Sequence, residues 1–273
     1  MSSTTQAMVP VIDFSNQNLK PGSPEWDLVK SQVREALEEY GCFEALFDPI
    51  LELRKAVFGA LQEVFDLPLQ TKKLFVSDKP FCGYSCPPSG VFQSMAVDDA
   101  YIAENIEQYL TTSLWPQGNI AFSETLASFI QLTSELEKTI LKMILESFGL
   151  EKYMDELTDI ANYQLRIMKY EKPKANEQPL GYLHTVWLNG RLSSPYHRVL
   201  MKANEDRYSI GLFSTVRGGY MVKVPTELVD DKNPMLFKPH NHEEFLKYFS
   251  SEVAKGVFRS GAVIAPLKTY CAV

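Results

Sequence analysis

The spacing of hydrophobic residues changes along the chain. In the first half, apolar side chains recur every three or four positions, a period typical of amphipathic helices. This period predicts helices over 24–40, 48–67 and 123–148. Ser23 and Ser123 are the predicted N-caps, because a serine hydroxyl at this position accepts a hydrogen bond from the first helical turn.

The second half favours strands. Apolar and polar residues alternate over 163–170 and 207–213, as in strands that bury one face. Shorter β-rich runs over 9–14 and 42–46 predict two more strands near the start of the chain.

Helices followed by strands indicate an α+β fold. We divide the 273 residues into a mostly helical region, 1–155, and a β-rich region, 156–273, that share one core. Hydrophobic residues make up 45% of the chain and charged residues 22%, which are ordinary values for a globular protein.

Composition also limits the partners. The formal charge of −7 argues against nucleic acid or an anionic membrane, which both require a basic face. There is no apolar run of the roughly 20 residues that would span a bilayer, and no secretory signal pattern at the start. The four cysteines are too scattered for a disulfide framework and are expected to be reduced. We therefore expect a cytoplasmic protein whose partner is a small metabolite.

Several motifs resemble the iron(II)- and 2-oxoglutarate-dependent dioxygenases of plant specialised metabolism. The clearest are HT at 184–185, NGRLSSPYHRV at 189–199 and RYSIGLF at 207–213. The resemblance extends to VPVIDFS and YGCFEALFD near the start, NYQLRIMKYEKP in the middle and LKTYCAV at the end. It implies N-terminal helices packed on a double-stranded β-helix, or jelly roll, that holds the metal.

The same resemblance implies an iron site in which one ligand is missing. The family binds iron through His-x-Asp on one strand and a later histidine, a facial triad that leaves three positions for 2-oxoglutarate and dioxygen. His184 and His197 match the two histidines, but Val186 stands at the position of the acid. A family segment of roughly 45 residues, about half of a barrel's eight strands, is also absent. The resemblance thus implies a shortened jelly roll.

The cosubstrate motif matches in full. Family members hold the far carboxylate of 2-oxoglutarate with an Arg-x-Ser pair, whose spacing returns both side chains to one face of a strand. Arg207 and Ser209 match this pair. Tyr170 is a further candidate by position.

A β-hairpin could still bring the two histidines together. Asn189-Gly190 is a strong signal for a two-residue hairpin turn. A turn there would place His184 opposite Pro195, with His197 as its diagonal neighbour, within reach for a two-histidine half-site.

Other candidates have simpler interpretations. His240 and His242 flank Asn241 at a predicted helix start, where capping rather than metal binding is expected. Arg166 and Tyr163 could face a substrate pocket, although an aromatic residue on an alternating strand is more often part of the core. Phe92 and Tyr84 are further possible substrate contacts.

The family function would be hydroxylation, desaturation or oxidative dealkylation of a small plant metabolite, with Fe(II) and 2-oxoglutarate as cofactors. Without the acid, we expect weak turnover or none, and no residue is assigned as a catalytic acid or base. Two alternatives remain open. One is a catalytically dead pseudoenzyme or splice form that pairs with itself or an intact relative through an exposed sheet edge. The other is a metal-free metabolite binder.

Overall fold

The computed structural model describes residues 9–87, 92–171, 183–192, 195, 205–255 and 264–273. The α-helices of the described residues are α1 (Pro24–Glu39), α2 (Asp48–Asp66), α3 (Leu69–Lys72), α4 (Ala103–Asn105), α5 (Thr112–Leu114), α6 (Ile120–Phe148), α7 (Met154–Asp159), α8 (Leu183–Trp187), α9 (His242–Ala254) and α10 (Ile264–Cys271). A π-helical segment, Ile106–Thr111, joins α4 to α5, and Glu151–Tyr153 and Thr226–Leu228 are 3₁₀ turns.

The described strands are β1 (Val11–Asp13), β2 (Glu44–Leu46), β3 (Gly83–Ser85), β4 (Phe92–Val97), β5 (Ala161–Tyr170), β6 (Arg207–Val216), β7 (Met221–Val222) and β8 (His240–Asn241). The largest sheet is antiparallel, in the order β3-β4-β5-β6, and is called the central sheet below. Strands β1 and β2 pair in parallel, and β7 and β8 pair antiparallel.

Most predicted elements are confirmed, but the start of α6 is not. Ser23 caps α1, since its hydroxyl accepts the Trp26 amide at 3.1 Å. Ser123 does not cap α6; Asn119 does, accepting the Phe122 amide at 3.2 Å. The Ser123 hydroxyl instead hydrogen-bonds Thr111 at 2.8 Å, so this serine ties α6 to the preceding segment.

The central sheet has two different faces. Leu165 and Ile167 of β5 are buried in a cluster with Leu61 of α2 and Leu126 of α6. Side chains alternate along a strand, so residues such as Arg166 lie on the other face, which is half-buried. We call this second face the inner face.

A second cluster joins the two regions predicted from the sequence. It contains Val33 of α1 and Met143 of α6 together with Val186, Trp187 and Val222 from the C-terminal region. The expectation of a shared core is therefore confirmed, while the division at residue 155 stays a prediction. None of the described helices has the length and apolar character needed to cross a membrane, and all four cysteines are free thiols.

Candidate functional site

The predicted cosubstrate residues lie together on the inner face. Arg207 is directly opposite Tyr170, and Ser209 is opposite Met168. Opposite residues of antiparallel strands share a face, so Arg207, Ser209 and Tyr170 all project from the inner face. The guanidinium carbon of Arg207 lies 5.4 Å from the centre of the Tyr170 ring, within the range of a cation–π contact.

The Ser209 hydroxyl bears most directly on cosubstrate binding. Its oxygen is buried and has no hydrogen-bond partner among the residues that the structure describes. Leaving a buried polar group unsatisfied costs about 1–3 kcal/mol, and most such groups in native proteins have a partner. A carboxylate bound by Arg207 would accept this hydrogen bond. Arg207 and Ser209 therefore fit one carboxylate of 2-oxoglutarate.

Tyr170 is a neutral phenol at physiological pH. Burial raises the pKa of its hydroxyl above the usual value, and Arg207 and Arg166 oppose this only in part. The hydroxyl donates to the sulfur of Met168 at 3.4 Å. Because a thioether is a weak acceptor, exchanging it for a ligand oxygen would cost little.

The hairpin predicted at Asn189-Gly190 is wrong. The chain enters this turn from helix α8, and the Gly190 amide bonds back to the Thr185 carbonyl at 2.7 Å, a helix-end pattern. Asn189 and Gly190 do have positive φ angles, 52° and 77°. That backbone conformation suits a hairpin turn and a helix C-terminus equally.

Tertiary hydrogen bonds favour the helix end over the hairpin. The buried Asn189 side chain donates to the Pro234 carbonyl at 3.1 Å and accepts the Leu236 amide at 2.9 Å. Position 184 is therefore in a helix, not on a strand opposite residue 195. His197 lies outside the described residues, so the proximity of the two histidines stays a prediction.

The residues around position 186 do not fit an iron site of the family type. Val186 is fully buried in the cluster shared with Trp187 and Leu188, and it has no atom that could bind a metal. Helix α8 also separates positions two apart by about 200° around its axis, so the strand spacing of a His-x-acid pair is not available. Within the described residues, no group of three or more His, Cys, Asp or Glu side chains could hold a metal ion.

His240 and His242 belong to a capped helix start, as predicted. The Asn241 side chain accepts the Glu244 amide at 3.1 Å in the first turn of α9. Both histidines are buried. Burial lowers the pKa of His240, and burial and the neighbouring His240 lower the pKa of His242 to about 4. Both rings are thus neutral at pH 7.

The inner face also lines a cavity of ≈ 260 Å³, at the end of the sheet away from Arg207. Its floor is formed by β5 and β6, including Gln164, Arg166 and Phe213, and its walls by Phe81 with its neighbours and by the start of α9. Arg166, a candidate from the sequence, faces this cavity. Tyr163 is part of the buried side of the sheet, where its hydroxyl donates to Glu137 at 2.8 Å.

The other two candidates lie at the margin of the sheet. The Phe92 ring is 5.9 Å from the Tyr170 ring, next to the cosubstrate residues. The Tyr84 hydroxyl donates to Gln93 at 2.9 Å, and burial raises its pKa to about 12. The sequence did not identify Phe81 or Phe213 as cavity residues, because one lies in an unpatterned loop and the other is an ordinary strand aromatic.

The sequence has close relatives of known class. Residues 9–116 match the family described as the N-terminal part of the non-haem dioxygenase in morphine synthesis. The probable 2-oxoglutarate-dependent dioxygenase AOP1.2 of Arabidopsis thaliana is 40% identical, and the match covers 90% of this chain and 92% of the relative.

Solved structures share the fold. The dioxygenase for auxin oxidation 1 from Arabidopsis thaliana, in its binary complex with 2-oxoglutarate, has a TM-score of 0.72 at 20% identity and covers 83% of this chain and 100% of its own. JOX2 in complex with 2-oxoglutarate, iron and JA has a TM-score of 0.70 at 17% identity, covering 89% of this chain and 85% of its own. The predicted α+β, jelly-roll fold class is thus confirmed. With this fold and a relative that is 40% identical over most of both chains, this chain belongs to the plant 2-oxoglutarate-dependent dioxygenases, whose cofactors are Fe(II) and 2-oxoglutarate.

Proposed function

We propose that this chain keeps the cosubstrate half of a 2-oxoglutarate-dependent dioxygenase site, has lost the iron half, and oxidises its metabolite weakly or not at all. The observation that carries the proposal is Val186, which stands at the position of the metal-binding acid. Val186 belongs to helix α8 and is buried in the hydrophobic core of the protein. Arg207, Ser209 and Tyr170 form the retained half.

Loss of the acid removes the charged ligand of the triad. Two neutral imidazoles attract a divalent cation less than two imidazoles and a carboxylate do, and even changes outside the ligand set lower metal affinity 10–100-fold. The length of the alignment with AOP1.2 is consistent with the loss of further residues from this chain. It runs over 299 positions although this chain has 273 residues, so the relative has residues for which this chain has none.

The first prediction concerns iron and turnover. Anaerobic addition of Fe(II) to the protein with 2-oxoglutarate should give no visible charge-transfer band at micromolar metal, and oxygen-dependent succinate formation should stay at background. JOX2, which binds 2-oxoglutarate, iron and JA in its solved structure, is assayed in parallel with JA as the positive control. Turnover comparable to this control, lost in a His197→Ala variant, would refute the proposal.

The second prediction concerns the retained half. In metal-free protein, 2-oxoglutarate should bind weakly, and Arg207→Gln should weaken this binding about tenfold or more, because a hydrogen bond to a charged group contributes about 1.5–3 kcal/mol. Calorimetry or ligand-observed NMR in EDTA measures the effect. Arg54→Gln removes an exposed arginine on α2, behind the opposite face of the sheet, and should change nothing. Equal affinity for Arg207→Gln and the unmodified protein would contradict the assignment.

Two further expectations are part of the proposal. A cytoplasmic location can be checked by cell fractionation. Association through a sheet edge stays a prediction; it is consistent with β6, which pairs only with β5 among the described strands.

A further inference from the structure

Strands β1 and β2 form a small parallel sheet that is not hydrogen-bonded to the central sheet. Among the described strands they pair only with each other, with Val11 opposite Glu44 and Asp13 opposite Leu46. A two-stranded sheet leaves one edge of each strand without a strand partner. The β1–β2 sheet therefore has two edges to which a further strand could add.

The edge of β2 is the more accessible of the two. All three residues of β2 are exposed, whereas Ile12 in the middle of β1 is buried in the cluster that contains Val33 of α1. Natural proteins often protect an exposed edge with lysine or proline, and β2 contains neither. A partner strand would therefore add to β2.

The backbone of β2 directs hydrogen-bonding groups away from β1 at Ala45. The Glu44 amide donates to the Pro10 carbonyl at 2.8 Å. The Leu46 carbonyl accepts the Phe14 amide, also at 2.8 Å. Successive residues of a strand turn their N–H and C=O groups to opposite edges, so Ala45 presents one donor and one acceptor at the outer edge.

The face beside this edge combines exposed apolar and acidic side chains. Paired residues of neighbouring strands project from the same side of a sheet, and so do residues two apart on one strand. Val9, Val11, Asp13, Glu44 and Leu46 therefore share one face. The three apolar residues are 47%, 56% and 41% exposed in this order, and both acids are exposed. Exposed apolar side chains with a polar rim are typical of protein interaction surfaces.

The charge around β2 has one sign. Residues 39–52 contain four acids, Glu39, Glu44, Asp48 and Glu52, and no lysine or arginine. A second copy of this chain would bring the same acids to the edge, and each copy has a formal charge of −7, so like charges oppose self-pairing here. A basic partner meets no such repulsion and is attracted electrostatically.

We propose that the edge of β2 binds an extended, basic segment of another protein, which adds as a third strand of the β1–β2 sheet. The backbone of the segment hydrogen-bonds Ala45, an apolar side chain packs against Leu46, and a lysine or arginine lies beside Glu44. In strand addition the main chain supplies affinity and the side chains supply specificity. The edge belongs neither to the cosubstrate residues nor to the cavity, so this binding does not depend on iron or 2-oxoglutarate.

The test uses the whole protein in EDTA and the fluorescently labelled peptide KTVKVTVK. Fluorescence anisotropy should show saturable binding that weakens as salt is added. The acidic peptide ETVEVTVE should bind about tenfold more weakly or less, because it meets the acids of β2. KTGKGTGK keeps the charge but lacks the apolar side chains and the strand preference, and its binding should be weakened about as much.

Variants of β2 locate the site. Glu44→Lys should lose the preference for the basic peptide, whereas Asp231→Lys, the same change of charge in an exposed bend outside both strands, should keep it. Ala45→Pro removes the outer amide of the edge and should weaken binding about tenfold or more. Circular dichroism checks that each variant is folded, and Glu44→Lys keeps the test decisive if Ala45→Pro does not fold.

Several results would overturn the proposal. One is a lack of saturable binding by KTVKVTVK, and another is equal binding of ETVEVTVE or KTGKGTGK. A third is unchanged binding in Glu44→Lys or in folded Ala45→Pro. Sedimentation of the protein alone tests the other occupant: a dimer that Ala45→Pro dissociates would mean that a second copy, not a basic partner, occupies the edge.

Discussion

Replacing Val186 with aspartate, the residue that the family has at this position, is expected to destabilise the protein by about 3–5 kcal/mol and to create no iron site. Val186 is fully buried beside Trp187 and Leu188. A carboxylate there would lose its hydration without gaining a counterion, a large cost in free energy of unfolding. Because α8 is helical, position 186 would also lie on a different side of the helix from position 184.

Urea denaturation of Val186→Asp measures this effect, and Val186→Asn is the matched control. Asparagine has almost the same size as aspartate but no charge, so Val186→Asn should lower the free energy of unfolding by less than Val186→Asp does. Burial raises the pKa of a carboxyl group above its unfolded value of about 3.9. The free-energy difference between Val186→Asp and the unmodified protein should therefore shrink as the pH falls toward 4, because the folded state then binds the extra proton. No such change is expected for Val186→Asn.

Two results would contradict this account. One is a Val186→Asp variant as stable as the unmodified protein, which would mean that position 186 faces water. The other is stoichiometric Fe(II) binding by the variant with the charge-transfer band of the family. That result would mean that only the acid was missing and that the local strand geometry of the family forms readily.

The sequence predicts the central strands well because their alternating pattern reflects one dominant effect, the burial of apolar side chains on one face of the sheet. Leu165 and Ile167 pack on α2 and α6, while Gln164 and Arg166 face the other way. This alternation can be recognised in the sequence without knowing which helices the strand packs against. It also put Arg207 and Ser209 on one face, where the structure places them.

The turn at Asn189 could not be predicted in the same way. Thr185, Val186 and Trp187 favour strands by intrinsic preference, and Asn-Gly favours a hairpin. The helix end is stabilised by two hydrogen bonds of the Asn189 side chain, which donates to the Pro234 carbonyl and accepts from the Leu236 amide, more than forty residues later. Only a distant contact decides between the two uses of the same backbone conformation.

The cavity could not be predicted for a related reason. A charged residue between the buried Leu165 and Ile167 indicates only that Arg166 faces away from the helices. What encloses Arg166 in a cavity is the approach of Phe81, about eighty residues earlier, and of α9, about eighty residues later. The positions of these walls depend on tertiary packing, in particular on the tight turn that leads from Phe81 into β3.

Gly83 fixes that turn, and Gly83→Ala is expected to destabilise the protein by about 2–4 kcal/mol. Gly83 begins β3 with φ = 79°, and an added Cβ would lie 3.0 Å from the Ser77 amide nitrogen and 3.2 Å from the Phe75 carbonyl oxygen. The left-handed backbone alone costs an L-residue about 1–2 kcal/mol. Relief of the contact would also stretch the 2.7 Å hydrogen bond from the Tyr84 amide to Phe75.

Gly59→Ala is the matched control for Gly83→Ala. Gly59 is exposed within α2, and an added Cβ would meet nothing within 4 Å, so this variant should be more stable by about 0.5–1 kcal/mol. Denaturant titration measures both effects. If Gly83→Ala unfolds at the same denaturant concentration as the unmodified protein, the turn does not constrain the cavity wall, because the segment 75–77 can then move away from Gly83 without cost.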